Sequence, residues 1–198
     1  MTRTTVVLAR HGRTAWHQPT RYTGRSDVPL DEVGAAQAAR LGEWAGAQGF
    51  AALACSHLVR ARQTAAAVTG LTPVVDPRLR ELDFGVAEGR TLAELREDDA
   101  AMVERFEADP VGGHFPGGEP PGEAAARGLA AVTELASAYA GGSVLVIAHS
   151  TLIRLVVCAV LGVPLGEYRR RLPVLEPTAT TTLRFPEPVG VVSYNVSR

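Results

Sequence analysis

Leu8-Ala9-Arg10-His11-Gly12-Arg13-Thr14 is the stretch from which the rest of the chain is read. The apolar run at 4–9 predicts a strand that empties directly into an Arg-His-Gly turn. From Arg10 to Asp31 the sequence is irregular and rich in Arg and Gly, and a loop of that length inside a compact domain is usually functional. Far downstream the pattern recurs: 143–148 is a second apolar strand, and it too ends in a histidine, His149. In open α/β sheets ligands sit outside the carboxyl ends of the strands. If these two strands are neighbours, His11 and His149 face each other across one crevice.

The 198 residues fit one domain, 1–198, with a helical insertion at about 92–140 expected to act as a lid over the site. Hydrophobic residues make up 46%, enough for a substantial core, and the net charge of −1 gives no global field toward nucleic acid or an anionic membrane. Cys55 and Cys158 lack CxxC or metal-ligand spacing and lie in apolar runs, so buried free thiols in a reducing compartment are expected. Met-Thr-Arg leads straight into the first strand without a secretory apolar region, and a cytoplasmic location is expected. The run from Val144 to Pro164 is apolar enough to raise a membrane span, but it contains His149, Ser150 and Arg154, and a strand–helix unit explains it better. All 20 basic residues are arginine, which removes any mechanism that needs a lysine.

In chain order, helical spacing is expected over 33–48, a short strand over 51–55, and a helix capped by Ser56 running to about Thr69. A short strand at 73–75 and a loop at 78–89 holding Glu81, Asp83 and Glu88 follow. A polar helix is expected from Leu92 to about Ala108, a Gly- and Pro-rich loop over 109–122, and an Ala-rich helix over 123–140. After the 143–148 strand come a helix over 151–161 and two strands, 178–185 and 189–194, joined through Pro186-Glu187-Pro188. Strands alternating with helices imply an α/β fold: a mostly parallel sheet with helices on both faces. His11, Arg60, Glu81 and His149 then each fall just past the carboxyl end of a strand, which turns scattered residues into one candidate pocket.

The chemistry of that set is specific. A phosphate ester carries up to two negative charges, so its attacker must not be anionic and its oxygens need fixed positive partners. A neutral histidine suits the first task and arginine forks the second, and the arginines also disfavour an imidazolium. His11 is read as the nucleophile, giving a phosphohistidine. Glu81 is read as the acid that protonates the leaving oxygen and the base that then activates water. Arg10, Arg60 and His149 are read as stabilising the transferring phosphoryl group, helped by the N–H groups of the helices after the second and fourth strands. A zinc triad of His11, His149 and Glu81 can be written, but Arg10 and Arg60 would stand beside the dication at high electrostatic cost.

These residues resemble the signatures of the histidine phosphatase superfamily, the phosphoglycerate-mutase-like fold. Leu8 to Trp16 resembles its nucleophile motif, and Arg21-Tyr22-Thr23-Gly24 its substrate loop. Ser56 to Ala65 resembles its second-arginine helix, Leu79 to Gly85 the proton-donor segment, and Ala87-Glu88-Gly89 the turn after it. Phe115-Pro116-Gly117-Gly118-Glu119 resembles the loop before the long helix, and Val144 to Arg154 the second-histidine strand and helix. The resemblance implies a three-layer α/β/α sandwich, no metal, and the roles already assigned to Arg10, His11, Arg60, Glu81 and His149. It adds Thr23 and Gly24 as substrate contacts. The chain departs from the family pattern at His17, where Asn is common, at Ser150, where Gly is common, and at Pro120-Pro121, where a Ser often follows the Gly-Gly-Glu. His17 and Ser150 are carried as substrate-binding candidates.

The function expected is hydrolysis of a small phosphorylated metabolite, as a monomer or homodimer, without cofactor and without nucleic-acid or membrane partners. A cofactor-dependent phosphoglycerate mutase is the alternative. It is disfavoured because 90–122 holds only Arg90, Arg96 and Arg105, with the acids Glu94, Glu97, Asp98, Asp99, Glu104, Glu107 and Asp109 around them. A non-catalytic phospho-ligand or phosphoprotein-binding module is a further class, but it would not need His11, Glu81 and His149 together. His57, His114 and the run Arg169-Arg170-Arg171 are read as surface, Trp16 as packing, and Arg21 and Arg25 as either pocket-mouth or ion-pair residues.

Overall fold

Val6 and Leu8 point to one face of the first strand and Val7 and Ala9 to the other, and each set enters a different apolar cluster. That double burial is the mark of a strand covered by helices on both sides. The computed structural model describes residues 3–186 and 188–198. Glu187, in the expected connection between the last two strands, lies outside the described residues, as do Met1 and Thr2.

Six strands, β1 (Thr4–Arg10), β2 (Ala52–Cys55), β3 (Val74–Val75), β4 (Ser143–Ala148), β5 (Thr180–Phe185) and β6 (Gly190–Val196), form one sheet in the order β3-β2-β4-β1-β5-β6. The pairs β1–β4, β2–β4 and β2–β3 are parallel, while β1–β5 and β5–β6 are antiparallel. On one face α1 (Glu32–Gly46) and α2 (Val59–Ala66) pack against Val7, Ala9, Leu145 and Ile147. On the other face α5 (Pro121–Ala138) and α6 (Ser150–Leu161) pack against Val6, Leu8, Val144 and Val146. The arrangement is the expected three-layer α/β/α sandwich with a mostly parallel sheet. The apolar stretch from Val144 is β4 followed by α6, and among the described residues no helix is long and apolar enough to cross a membrane.

Local details differ from the sequence reading. Ser56 does not cap α2: the helix begins three residues later, after Leu58, and ends at Ala66. The polar helix from Leu92 is two helices, α3 (Leu92–Asp98) and α4 (Ala100–Ala108), broken at Asp99, whose carboxylate accepts from the Met102 amide and starts the second one. A short helix that periodicity did not reveal, α7 (Tyr168–Arg171), lies between α6 and β5. The 92–108 helices form a satellite core in which Phe106 and Phe115 stack at 4.2 Å and close on Tyr22 from below.

The Arg10–Thr14 turn is pressed onto the start of α1. A Cβ on Gly12 would stand 2.5 Å from the Gly34 carbonyl oxygen, and one on Gly34 would stand 2.0 Å from that of Arg13. Gly34→Ala is therefore expected to destabilise the protein by about 1–3 kcal/mol through forced backbone displacement. Gly46→Ala, with nothing within 4 Å of its Cβ, is expected to be neutral or to stabilise by up to about 1 kcal/mol. Urea denaturation of the two variants checks the contrast.

Candidate active site

The strand register brings the two histidines together. Arg10 of β1 pairs with Ala148 of β4, and the His11 amide donates to the Ala148 carbonyl at 3.0 Å, so the next residue of each strand is a histidine at the same edge. The rings lie 5.0 Å apart between centroids. His11 Nδ1 sits 2.7 Å from the Gly12 carbonyl oxygen, which accepts its proton and leaves Nε2 as the free lone pair. The Gly12 amide donates to Thr64 Oγ1, which in turn donates to the Arg60 carbonyl, tying the His11-Gly12 turn to α2.

Two guanidiniums flank this pair, Arg60 buried and Arg10 partly so. Arg10 donates to the Leu175 carbonyl and to His17 Nε2, both at 2.6 Å. Arg60, with no exposed surface, donates to the carbonyls of Thr23, Gly24 and Ser26. Among the described residues, the Nε atoms of both arginines and both ring nitrogens of His149 are buried without a partner, an unusual concentration of unpaired polar atoms. Burial and the charges of Arg60 and Arg10 hold His11 well below the ordinary histidine range, so it is neutral at pH 7. Burial, then Arg60, does the same to His149. Burial lowers Arg10 to about 10, which leaves it charged.

Glu81 is held differently from expectation. Its Oε2 accepts from the Thr151 amide, and its Oε1 from the amides of Leu152 and Leu82, each at 2.9 Å. The N-terminus of α6 was expected to face phosphate, but two of its amides are given to Glu81, and at α2 the Val59 amide is given to Asp27. A helix start satisfies its free N–H groups with the nearest acceptor, and here side chains supply it. Behind Glu81 lies Arg127, which sequence reasoning missed. It donates to the carbonyls of Arg78, Arg80 and Glu81 and forms a close pair with the buried Glu119. A single charge in the Ala-rich run Ala124 to Leu129 was its only sequence signal.

Glu88 braces the substrate loop. One carboxylate accepts from the amides of Gly24, Arg25, Ser26 and Phe84 and from Ser26 Oγ. Gly24 is required by that approach, because a Cβ there would stand 2.2 Å from Glu88 Oε1. Gly24 thus holds Arg60 and the loop and does not line the cavity, while Thr23 does. His17 and Ser150 also line it, as do Arg10, His11 and Glu81, in a cavity of about 270 Å³; Arg60 and His149 lie beneath its floor. Trp16 forms part of its wall. His57 is exposed and His114 bonds back to Val111, as surface residues do. Arg21 pairs with Glu94 and Arg25 with Asp83, and of the basic run at 169–171 only Arg169 turns into the cavity, against the sequence reading. Both cysteines are buried free thiols. Among the described residues no group of His, Cys, Asp and Glu is placed to hold a metal ion.

The α/β/α sheet thus carries a neutral histidine and two arginines at its carboxyl edge. The model of the Histidine phosphatase superfamily (branch 1) matches residues 6–195, and the chain belongs to that superfamily. It is 34% identical over 168 residues to the probable phosphoglycerate mutase GpmB of Yersinia pestis, covering 83% of this chain and 78% of that one. Among solved structures it is similar to Bacillus stearothermophilus YhfR, with a TM-score of 0.91, 31% identity and 98% of each chain covered. It is also similar to a mycobacterial glucosyl-3-phosphoglycerate phosphatase, with a TM-score of 0.88, 28% identity, and 98% of this chain and 100% of that one covered.

Burial and the neighbouring Arg10 lower His17 to about 4 from the ordinary 6.5. The unfolded chain therefore takes up this proton first as pH falls, so the folded state loses stability across that window, with His11 and His149 acting in the same direction. His17→Asn is expected to shrink the stability lost between about pH 7 and about pH 4.5, read from urea midpoints at the two values.

Proposed function

We propose that the protein is a phosphomonoesterase that acts on a small phosphorylated metabolite through a phosphohistidine at His11. The observation that carries this reading is the tautomer-fixed, neutral His11 beside two arginines whose buried Nε atoms lack partners among the described residues. In the first step His11 Nε2 forms a bond to phosphorus as the ester P–O bond breaks, and Glu81 protonates the departing oxygen. In the second, Glu81 takes a proton from water, the water oxygen attacks phosphorus, and the P–N bond breaks to release inorganic phosphate. Glu81 suits both tasks because Oε2 accepts only the Thr151 amide and keeps capacity for a proton at the cavity wall. Arg10, Arg60 and His149 stabilise the transferring group, and His17, Thr23 and Ser150 border it, by position and charge rather than by covalent chemistry.

A second reading, phosphoryl transfer between positions of a phosphoglycerate, is favoured by the name of the GpmB relative. The structure of the 90–122 segment weighs against it: Arg90 and Arg96 are paired with Asp98 and Glu107, away from the cavity.

Purified protein assayed with EDTA on a panel of phosphomonoesters is expected to release phosphate, and His11→Ala to abolish that release. Glu81→Gln is expected to lower kcat by about 10²–10⁴-fold on esters with poor leaving groups and less on aryl phosphates, whose oxygen departs unprotonated. Isomerisation of 3-phosphoglycerate that depends on 2,3-bisphosphoglycerate and proceeds without phosphate release would replace hydrolysis with the transfer reading.

A further inference from the structure

The catalytic cavity does not end at the phosphate-sized floor. It continues outward into a second space of about 410 Å³, and the two share Arg21, Tyr22, Arg154 and Arg169. Arg21 is neutralised by Glu94 through both of its terminal nitrogens. Arg154 and Arg169 are not paired in this way. Arg154 makes only long contacts, at 3.3 Å, to the Ser150 and Leu172 carbonyls, and its guanidinium lies 4.9 Å from the Tyr168 ring centre. Arg169 lies 4.8 Å from the Phe106 ring centre and reaches the Tyr22 hydroxyl at 3.4 Å. Among the described residues neither has a carboxylate partner, whereas the adjacent Arg170 and Arg171 both sit on Glu167.

Stacking on a ring uses the face of a guanidinium and leaves its N–H edge free. Two such edges, without carboxylate partners among the described residues, border a cavity that Arg10 also lines and beneath whose floor Arg60 lies. A neutral leaving group would leave both half-buried charges uncompensated, whereas an anionic one would be held by charge-assisted, bidentate hydrogen bonds. We propose that Arg169 and Arg154 form a distal subsite, so that the preferred ligand is a phosphomonoester carrying a second anionic group, a carboxylate or a phosphate, at its far end. This rests on the phosphate group occupying the His11 floor, and it makes Arg169 a specificity-determining residue supplied by α7 rather than by the 92–140 insertion.

The test uses calorimetry on the His11→Ala variant, which binds without turnover. Glycerol 3-phosphate and 3-phosphoglycerate differ only by a hydroxymethyl group against a carboxylate, and 2,3-bisphosphoglycerate adds a second phosphate. The acid is expected to bind at least about tenfold tighter than glycerol 3-phosphate. Adding Arg169→Gln should bring that ratio near one, and Arg169→Lys should restore part of it. If Arg169→Gln does not fold, Arg154→Gln is read in the same way. The ratio is the decisive quantity, because a purely structural loss weakens both ligands alike. The larger Arg169-dependent gain, for 3-phosphoglycerate or for 2,3-bisphosphoglycerate, says which anion the subsite takes. Equal affinities for the three ligands, no binding of any of them, or a ratio that Arg169→Gln leaves unchanged overturns the proposal. Phosphate release by the wild-type protein is scored separately, so a failed hydrolysis reading leaves the binding ratio readable.

Discussion

The packing of two guanidiniums beside two imidazoles is the constraint around which the rest is built. Arg10, partly buried at the cavity, and Arg60, with no exposed surface, would each be costly without compensation. Compensation comes from main-chain carbonyls: Leu175 for Arg10, and Thr23, Gly24 and Ser26 for Arg60. The three carbonyls around Arg60 belong to the loop from Arg21 to Asp27, which is drawn inward by Glu88, whose one carboxylate collects the amides of Gly24, Arg25 and Ser26. The positive charge then does two things at once. It keeps His11 neutral, and it leaves the Nε atoms of both arginines buried without partners among the described residues.

Glu81 has its own scaffold. Glu81 is clamped from the front by the first amides of α6 and from behind by Arg127, whose guanidinium gathers the carbonyls on either side of it. Arg127 is charge-balanced by Glu119, from the Gly-Gly-Glu loop, so that loop, α5 and the Glu81 segment are tied together. The consequence is that a carboxyl group placed on a loop has the positional definition of one placed on a helix, which proton transfer at a fixed atom requires.

The parts of the site legible in the sequence share a property: they are fixed by local context at a strand end. His11 and His149 follow apolar runs, Arg60 lies in the first turn after a strand, and Glu81 follows a short one. Residues whose role depends on partners far along the chain were invisible. Arg127 acts on residues 46–49 positions away, and Arg169 reaches Tyr22 across 147. The helix break at Asp99 was hidden because residues 92–98 and 100–108 each carry helical spacing, so only a capping bond separates them. The α7 helix is too short for a period to register.

The sequence by itself determined the α/β class, the covered sheet, the strand-end placement of the chemistry and the histidine phosphatase kinship. Strand periodicity and the residue types at strand ends are local quantities, readable without knowing what packs on what. Only the tertiary structure decided that the α6 amides serve Glu81, that Gly24 supports Arg60 rather than the cavity wall, and that one arginine of the 169–171 run faces inward. Each of those outcomes depends on which donor meets which acceptor once distant segments are brought together. A hydrogen bond between residues 70 or 147 positions apart leaves no pattern in the order of the chain.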